Sequence, residues 1–330
     1  MKIFRNPAPI RLPLRFATHA EGDAVVTRFD RDFDARLDAA ADEIAADCVA
    51  HDVRILRLSG PTCAGKTTTA GKLTRALEAE GRVVHPLSID DFFYDRAVLD
   101  ARAKANPTGE PDYDSVETID LPALSVCIHE LMNTGRAMIP HFDFVTGDRI
   151  GYREMAVPLG EKPVFLFEGI QAVYPEVVSL FSDVPGRSIF INVMKPTVLI
   201  DAEGRERVFQ PDRIRLFRRL VRDAAKRGTS PIFTLHLWKS VRANERKSIL
   251  PYADACDYGI DSNMAFDVHM LAPHLRRILT REEMRRPYNR EADAQAFKIG
   301  ASILSELDGV EGVTTTGLSP HSLYREFLTY

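Results

Sequence analysis

One stretch early in the chain constrains the fold more than any other. An apolar segment at residues 54–58 runs into a glycine-bounded loop, and a helix pattern starts near Lys66. Residues 60–67 read Gly-Pro-Thr-Cys-Ala-Gly-Lys-Thr, the G-x-x-x-x-G-K-T pattern of a phosphate-binding loop. Its glycines let successive backbone N–H groups face a phosphate, and the positive end of the helix adds attraction. Because strand, loop and helix follow in the required order, we predict a phosphate site rather than a chance turn.

The residue types of this loop predict its ligands. Lys66 would reach the terminal phosphates of a nucleotide, and the Thr67 hydroxyl would bind Mg²⁺. We therefore expect ATP and Mg²⁺ as cofactors. The loop residues predicted to hold ATP are Gly60, Thr62, Cys63, Ala64, Gly65, Lys66, Thr67 and Thr68.

Apolar strand patterns and helix patterns alternate along the rest of the chain. This alternation predicts an α/β fold with a parallel sheet covered by helices on both faces. Residues 195–210 interrupt it and are predicted to form a loop insertion. Further strands are predicted at residues 81–89, 163–167, 188–193 and 253–261, and helices at 32–51, 121–134, 234–242, 266–280 and 288–307.

Acidic residues follow two of the predicted strands. Asp90 and Glu168 each come directly after an apolar run. In open parallel sheets, ligands bind at the carboxyl ends of the strands, so both acids are candidate site residues. Asp91, Asp112 and Asp143 can equally serve as helix caps or turn formers.

A basic segment lies at residues 205–227. Nine basic residues against three acidic ones give it a net charge of +6, whereas the whole chain carries −4. Arg215, Arg219, Arg222 and Lys226 fall on one face of a helix pattern. We predict a basic helical lid that stabilises phosphoryl charge, and the alternative is a solvated face paired with neighbouring acids.

Composition excludes several classes of protein. The net charge gives no basic footprint for nucleic acid, and no apolar run approaches the roughly 20 residues of a membrane span. Four distant cysteines predict a reducing compartment, without a zinc site or disulfide framework. Three prolines among the first 20 residues argue against a removable transit helix. We expect a cytoplasmic protein with a small-molecule substrate, and leave open whether it is a monomer or a homo-oligomer.

These motifs together resemble the uridine kinase and phosphoribulokinase family of small-molecule kinases. The resemblance covers about residues 52–262. Besides the loop it rests on L-S-I-D-D-F-F at 87–93, D-Y-D-S-V-E at 112–117, E-G-I at 168–170 and the basic segment at 218–228. It implies the P-loop NTPase fold of nucleoside and nucleotide kinases, with a basic helical lid. It extends to a bacterial uridine kinase-like branch that often carries an N-terminal TGS-type domain, for which 50 residues before the core are too few.

The resemblance also assigns roles to individual residues. Asp90 would take the proton from the acceptor hydroxyl, and Arg227 would join the ATP-binding set. The implied catalytic residues are Asp90, Lys66, Arg219 and Arg222, and the implied metal ligands are Thr67, Asp90 and Glu168. The implied acceptor-binding residues are Phe93, Asp114, Phe142, Asp143, Arg149 and Arg219.

The acceptor side departs from the family pattern. Residues 142–149 resemble the Y-D-F-x-x-H-x-R of pyrimidine-nucleoside kinases, but Phe142 replaces the tyrosine and Gly147 the histidine that contact the base. Phe93 likewise stands where those kinases have a tyrosine, and Thr229 where they have an arginine. A nucleoside kinase is the first hypothesis. A sugar or sugar-phosphate kinase and a nucleotide-binding regulatory module remain as alternatives.

Three regions are expected from this division of motifs. Residues 1–50 would form an N-terminal arm and helix, and residues 51–262 the kinase core, with the lid at about 205–250. Residues 263–330 would form a helical extension packed on the core.

Overall fold

The computed structural model describes residues 8–103, 115–143, 146–158, 163–280 and 290–328. Its strands are β1 (Ile10–Pro13), β2 (Ile55–Ser59), β3 (Val84–Ser88), β4 (Arg136–Asp143), β5 (Asp148–Ala156), β6 (Val164–Glu168), β7 (Gly186–Asn192), β8 (Thr197–Ile200), β9 (Glu206–Phe209) and β10 (Tyr258–Asp261). Its helices are α1 (His19–Ala50), α2 (Lys66–Ala79), α3 (Arg96–Ala103), α4 (Leu121–Thr134), α5 (Pro175–Ser179), α6 (Pro211–Lys226), α7 (Pro231–Asn244), α8 (Leu250–Ala253), α9 (Asp267–Ile278) and α10 (Arg290–Glu306).

A five-stranded parallel sheet forms the centre of the fold, in the order β10-β7-β2-β6-β3. Leu56 and Leu58 of β2 face a core shared with α1 and α2, whereas Ile55 faces a second core shared with α4 and β4. Both sheet faces are therefore buried, which explains why its strands read as continuous apolar runs. The predicted α/β fold with helices on both faces is confirmed.

Helix α1 begins earlier than the sequence pattern indicated. The prediction was residues 32–51, and the helix runs over His19–Ala50. Thr18 caps it, since its side chain accepts from the backbone N–H of Glu21, whose carboxylate accepts from the N–H of Ala17. This Thr-x-x-Glu arrangement is a variant of the capping box. It marks a helix start that hydrophobic spacing alone did not reveal.

The predicted loop insertion at residues 195–210 is wrong. This segment forms the antiparallel pair β8 and β9, and β1 adds to β8 in parallel to complete a three-stranded sheet. The turn between them places Gly204 at φ +78°, and the Asp201 carboxylate accepts from the backbone N–H of Arg205 at 2.9 Å. Buried Val198 and Leu199 hold the pair against the core. A short hairpin thus replaces the expected loop.

Helix α6 contains most of the basic segment, and its arginines differ in burial. Arg215 and Arg218 are buried, with 2% and 0% of the residue exposed. Arg215 pairs with Glu245, and Nε and Nη2 of Arg218 each donate to Asp267 at 2.7 Å. The prediction that Arg215 lies on a solvent-facing or ligand-facing surface is therefore wrong.

Residues 318–328, which we term the C-terminal tail, pack onto the loop side of the core. Tyr324 and Phe327 are fully buried, and Leu323 lies against the phosphate loop at Gly65. The three-region division stays a prediction. Among the helices of the described residues, none combines the length and apolar character needed to cross a membrane.

Candidate active site

The phosphate loop joins β2 to α2 and depends on its two glycines. A Cβ atom on Gly60 would lie 2.0 Å from the carbonyl oxygen of Ile191, so no larger residue fits there. Gly65 caps α2 with φ +97°, a left-handed conformation that favours glycine. Lys66 Nζ donates to Gly60 O at 2.9 Å and to Pro61 O at 3.3 Å. The sequence therefore folds into the curled backbone that the motif predicts.

A cavity of about 220 Å³ lies over this loop. It brings together residues from the loop, the ends of β3 and β6, helix α6 and the C-terminal tail. Every predicted catalytic and metal-binding residue lines it. The lining residues are Thr62, Cys63, Ala64, Gly65, Lys66, Thr67, Asp90, Phe93, Glu168, Ile170, Gln171, Arg219, Arg222, Arg227 and Glu326.

Oxygen groups from three segments face each other beside the loop. Thr67 Oγ1 donates to Glu168 Oε1 at 3.1 Å, and Asp90 lines the same cavity from the end of β3. No group of three or more His, Cys, Asp or Glu side chains in the described part of the chain could hold a metal ion alone. One hydroxyl with two carboxylates nevertheless suits Mg²⁺, which takes few protein ligands and completes its shell with water and phosphate.

The electrostatics of this oxygen cluster are set by burial. Burial raises the pKa of Glu168, the positive charge of Lys66 lowers it, and the negative charge of Glu326 raises it further. A bound cation would offset this cost of an ionised carboxylate, because an opposite charge favours the charged form. The donor and acceptor set at this end of the cavity therefore fits a metal-bound polyphosphate.

Three arginines at the other side of the cavity share one buried carboxylate. Asp223 accepts from Arg222 at 2.7 Å and from Arg219 Nε at 3.3 Å, and its distance to Arg227 Nη1 is 3.8 Å. Asp223 is 3% exposed, so it fixes the guanidinium groups from the protein side. All three guanidinium groups line the cavity, and arginine is well suited to bind anionic oxygens.

The predicted acceptor residues are only partly gathered at the cavity. Phe93 lines it, and Phe142 packs edge-on against Phe93 with ring centroids 5.5 Å apart. Asp143 accepts from the backbone N–H of Thr146 at 3.2 Å, as a turn former does. Asp114 lies outside the described residues.

Hydrogen bonds within the protein hold the guanidinium group of Arg149 in place. It donates to Phe93 O at 2.8 Å, to Phe92 O at 2.9 Å and to Asp120 Oδ2 at 3.2 Å. Asp120 is the N-cap of α4. The roles of Arg149 and Asp143 in acceptor binding stay predictions, since neither residue lines the cavity.

Comparison with known proteins shows which family the loop-bearing core is similar to. Residues 55–199 match the Phosphoribulokinase / Uridine kinase family. This segment of the chain is similar to that family. The match confirms the resemblance seen in the sequence and spans β2 through β8, including the loop, Asp90 and Glu168.

Curated relatives of the family extend the similarity beyond this segment. Uridine kinase of Schizosaccharomyces pombe is 29% identical over 233 residues, which cover 69% of this chain and 45% of that protein. Uridine kinase of Saccharomyces cerevisiae is 26% identical over 226 residues, covering 67% and 40%. Uridine-cytidine kinase B of Dictyostelium discoideum is 25% identical over 234 residues, covering 69% and 84%. The chain thus spans less than half of the two yeast relatives.

Two cavity-side residues were missed by sequence reasoning. Asp223 lies four positions after Arg219 and four before Arg227, so helical spacing could have identified it as their partner. Glu326 reaches the cavity from the C-terminal tail, about 260 residues after the loop. No local pattern around Glu326 signals that contact.

Proposed function

We propose that this protein is a kinase that transfers the terminal phosphoryl group of ATP to a hydroxyl group of a small metabolite, with Mg²⁺ as the metal. The observation that carries this proposal is the single cavity over the phosphate loop. It collects a lysine and a hydroxyl from the loop, two carboxylates from strand ends and arginines from α6. These are the groups that phosphoryl transfer requires, because its catalysis depends on positioning and on charge stabilisation.

Each residue would contribute a separate part of the chemistry. Loop N–H groups and Lys66 would bind the phosphates, while Thr67, Asp90 and Glu168 would hold Mg²⁺. Bound Mg²⁺-ATP supplies the phosphoryl group and neutralises part of its charge. Asp90 would accept the proton of the acceptor hydroxyl.

The arginines of α6 would act on the opposite side of the cavity. Arg219 and Arg222, held by Asp223, would stabilise charge that develops on the transferring oxygens. Arg227 is half exposed and would contact the nucleotide at the rim. The cavity arginines thus support the proposed lid role of α6.

A nucleoside is the first candidate acceptor, because the curated relatives are named uridine kinases and uridine-cytidine kinases. One observation favours a second candidate, a sugar or sugar phosphate. Gly147 has φ +78°, and a Cβ there would lie 2.6 Å from Arg96 Nε, so this position offers no side chain to a base. Phe142 similarly supplies a ring without a hydroxyl.

A substrate panel tests the proposed function. Purified protein is incubated with ATP, Mg²⁺ and uridine, cytidine, free sugars or sugar phosphates, and products are identified by mass spectrometry. We expect one phosphorylated product class, and a higher kcat/KM for a sugar than for uridine or cytidine would select the second candidate. Lys66→Ala is the control and should lose both ATP binding and turnover. ATP binding without any phosphorylated product would contradict the kinase proposal and favour a regulatory module.

A further inference from the structure

The C-terminal tail places a carboxylate on the phosphate loop. Glu326 Oε1 accepts from the backbone N–H of Thr68 at 2.5 Å and from Thr68 Oγ1 at 2.6 Å. Thr68 lies in the first turn of α2, where backbone N–H groups have no partner within the helix. Such N–H groups bind phosphate in loops of this kind. The Glu326 carboxylate therefore uses donors that a nucleotide phosphate would also use.

The tail backbone that presents Glu326 is firmly anchored. The Tyr324 hydroxyl donates to Asp267 Oδ1 at 2.5 Å, and its ring stacks on Phe266 with centroids 5.2 Å apart. Phe327 is fully buried, and Lys226 Nζ donates to the carbonyl oxygen of Arg325. Glu326 itself is only partly buried and lines the cavity. Its side chain can therefore rotate while the tail stays in place.

Charge opposes simultaneous occupation of Thr68 by the carboxylate and a phosphate. Glu326 shares the cavity with Glu168, and its negative charge adds to the effect of burial that raises the pKa of Glu168. A nucleotide phosphate would bring further negative charge to the same place. The two Thr68 donors cannot serve both anions at full strength.

We propose that Glu326 is an internal competitor of the nucleotide. Its carboxylate occupies an anion position of the phosphate loop at Thr68, and it must rotate away when a nucleoside diphosphate or triphosphate binds. This inference rests on the proposed function. Glu326 would lower the affinity for ATP and ADP alike, and its return to Thr68 would assist release of the product ADP.

Isothermal titration calorimetry with Mg²⁺ and ATP, ADP or adenosine tests this inference. For Glu326→Ala we expect the Kd of ATP and of ADP to fall about tenfold or more, as for loss of one competing charge-assisted hydrogen bond. Glu326→Gln should have a smaller effect, because its amide oxygen can still accept from Thr68. Adenosine, which has no phosphate, should bind all proteins alike.

Glu203→Gln is the matched control, since it removes one carboxylate that is 65% exposed on the β8–β9 turn. It should leave the Kd of ATP unchanged. If the wild-type protein binds ATP through Lys66 but Glu326→Ala and Glu326→Gln leave the Kd unchanged or raise it, Glu326 is not a competitor. If the wild-type protein and Lys66→Ala both fail to bind ATP, the proposed function fails instead. If Glu326→Ala does not fold, the Kd of ATP and ADP measured for Glu326→Gln decides the test.

Discussion

Helix α6 has two sets of arginines that share a helix and differ in their surroundings. Arg215 and Arg218 point inward and pair with Glu245 and Asp267 in the core. Arg219 and Arg222, which follow them in the chain, line the cavity. The comparison shows that arginines one turn apart on a single helix can be paired inside the core or line a cavity.

The two sets also differ in their relation to the phosphate loop. Arg215 Nη1 donates to Thr62 O at 3.5 Å, and Arg218 Nη1 donates to Cys63 O at 3.4 Å. The inner arginines thus contact loop carbonyls, whereas the outer set lines the cavity over the loop. Substitutions in the inner set should affect mainly stability, and substitutions in the outer set mainly turnover.

Substitution of an inner arginine should have the largest effect, and that effect should be on stability. Arg218→Met removes the partner of fully buried Asp267 and should lower the free energy of unfolding by about 3–5 kcal/mol. Burial alone would lower the pKa of Arg218, but the charge and hydrogen bonds of Asp267 raise it, so Arg218 stays protonated. Chemical denaturation followed by circular dichroism measures the loss.

Two further variants control this prediction. Arg219→Met changes the neighbouring outer arginine and should cost less, because Asp223 keeps its ion pairs with Arg222 and Arg227. Adding Asp267→Leu to Arg218→Met should recover part of the stability, because the uncompensated charge is removed. Equal losses for Arg218→Met and Arg219→Met would contradict the division into two sets.

The outer set should show the second largest effect, on turnover. Arg222→Ala should lower kcat by about 10²–10³, as for loss of one preorganised donor to transition-state charge. The ATP Kd should rise much less, because this contact strengthens only as charge develops. Steady-state kinetics and calorimetry separate the two quantities. Equal losses in ATP affinity and kcat/KM would assign Arg222 to ground-state binding.

The smallest effects should appear in the pH dependence of stability. Glu245 in the core and Glu168 at the cavity should contribute to it with opposite signs. At Glu245, burial raises the pKa, but the ion pairs with Arg215 and Arg242 outweigh burial and lower it. Glu245 therefore stabilises the fold above its unfolded pKa, and this contribution is lost as pH falls. The pKa of Glu168 is raised, so its contribution to the free energy of unfolding is present in acid and is lost as pH rises.

Unfolding free energies measured from about pH 2 to 8, on both sides of the ordinary glutamate pKa of about 4.3, check these signs. Glu245→Gln should destabilise the protein near neutral pH and less so in acid. Glu168→Gln should stabilise it near neutral pH, with the gain shrinking as pH falls. The same sign for both variants would contradict the contrast between a paired core carboxylate and a cavity carboxylate.

Local sequence was enough to predict that Asp90 and Glu168 lie beside the phosphate loop, for a physical reason. The phosphate loop is a contiguous motif, and Asp90 and Glu168 follow apolar runs that become neighbouring parallel strands β3 and β6. The carboxyl ends of parallel strands meet at one edge, so order along the chain was enough to bring both acids to the loop.

Other features depend on contacts that no local pattern encodes. The inward direction of Arg215 and Arg218 is determined by Glu245 and Asp267, which lie 30 and 49 residues away. The hairpin of β8 and β9 is stabilised by pairing with β1 near the start of the chain. Glu326 reaches Thr68 across 258 residues. These partners become visible only when the fold is known.

Asp90→Asn tests the central claim most directly. With the acceptor identified from the substrate panel, turnover and ATP affinity are measured on the same preparation of wild-type and variant protein. The account predicts that product formation falls by at least about 10²-fold, within the range for loss of a general base, while ATP still binds. Turnover that persists at the wild-type rate in Asp90→Asn would contradict the assignment of Asp90 as the base and the mechanism built on it.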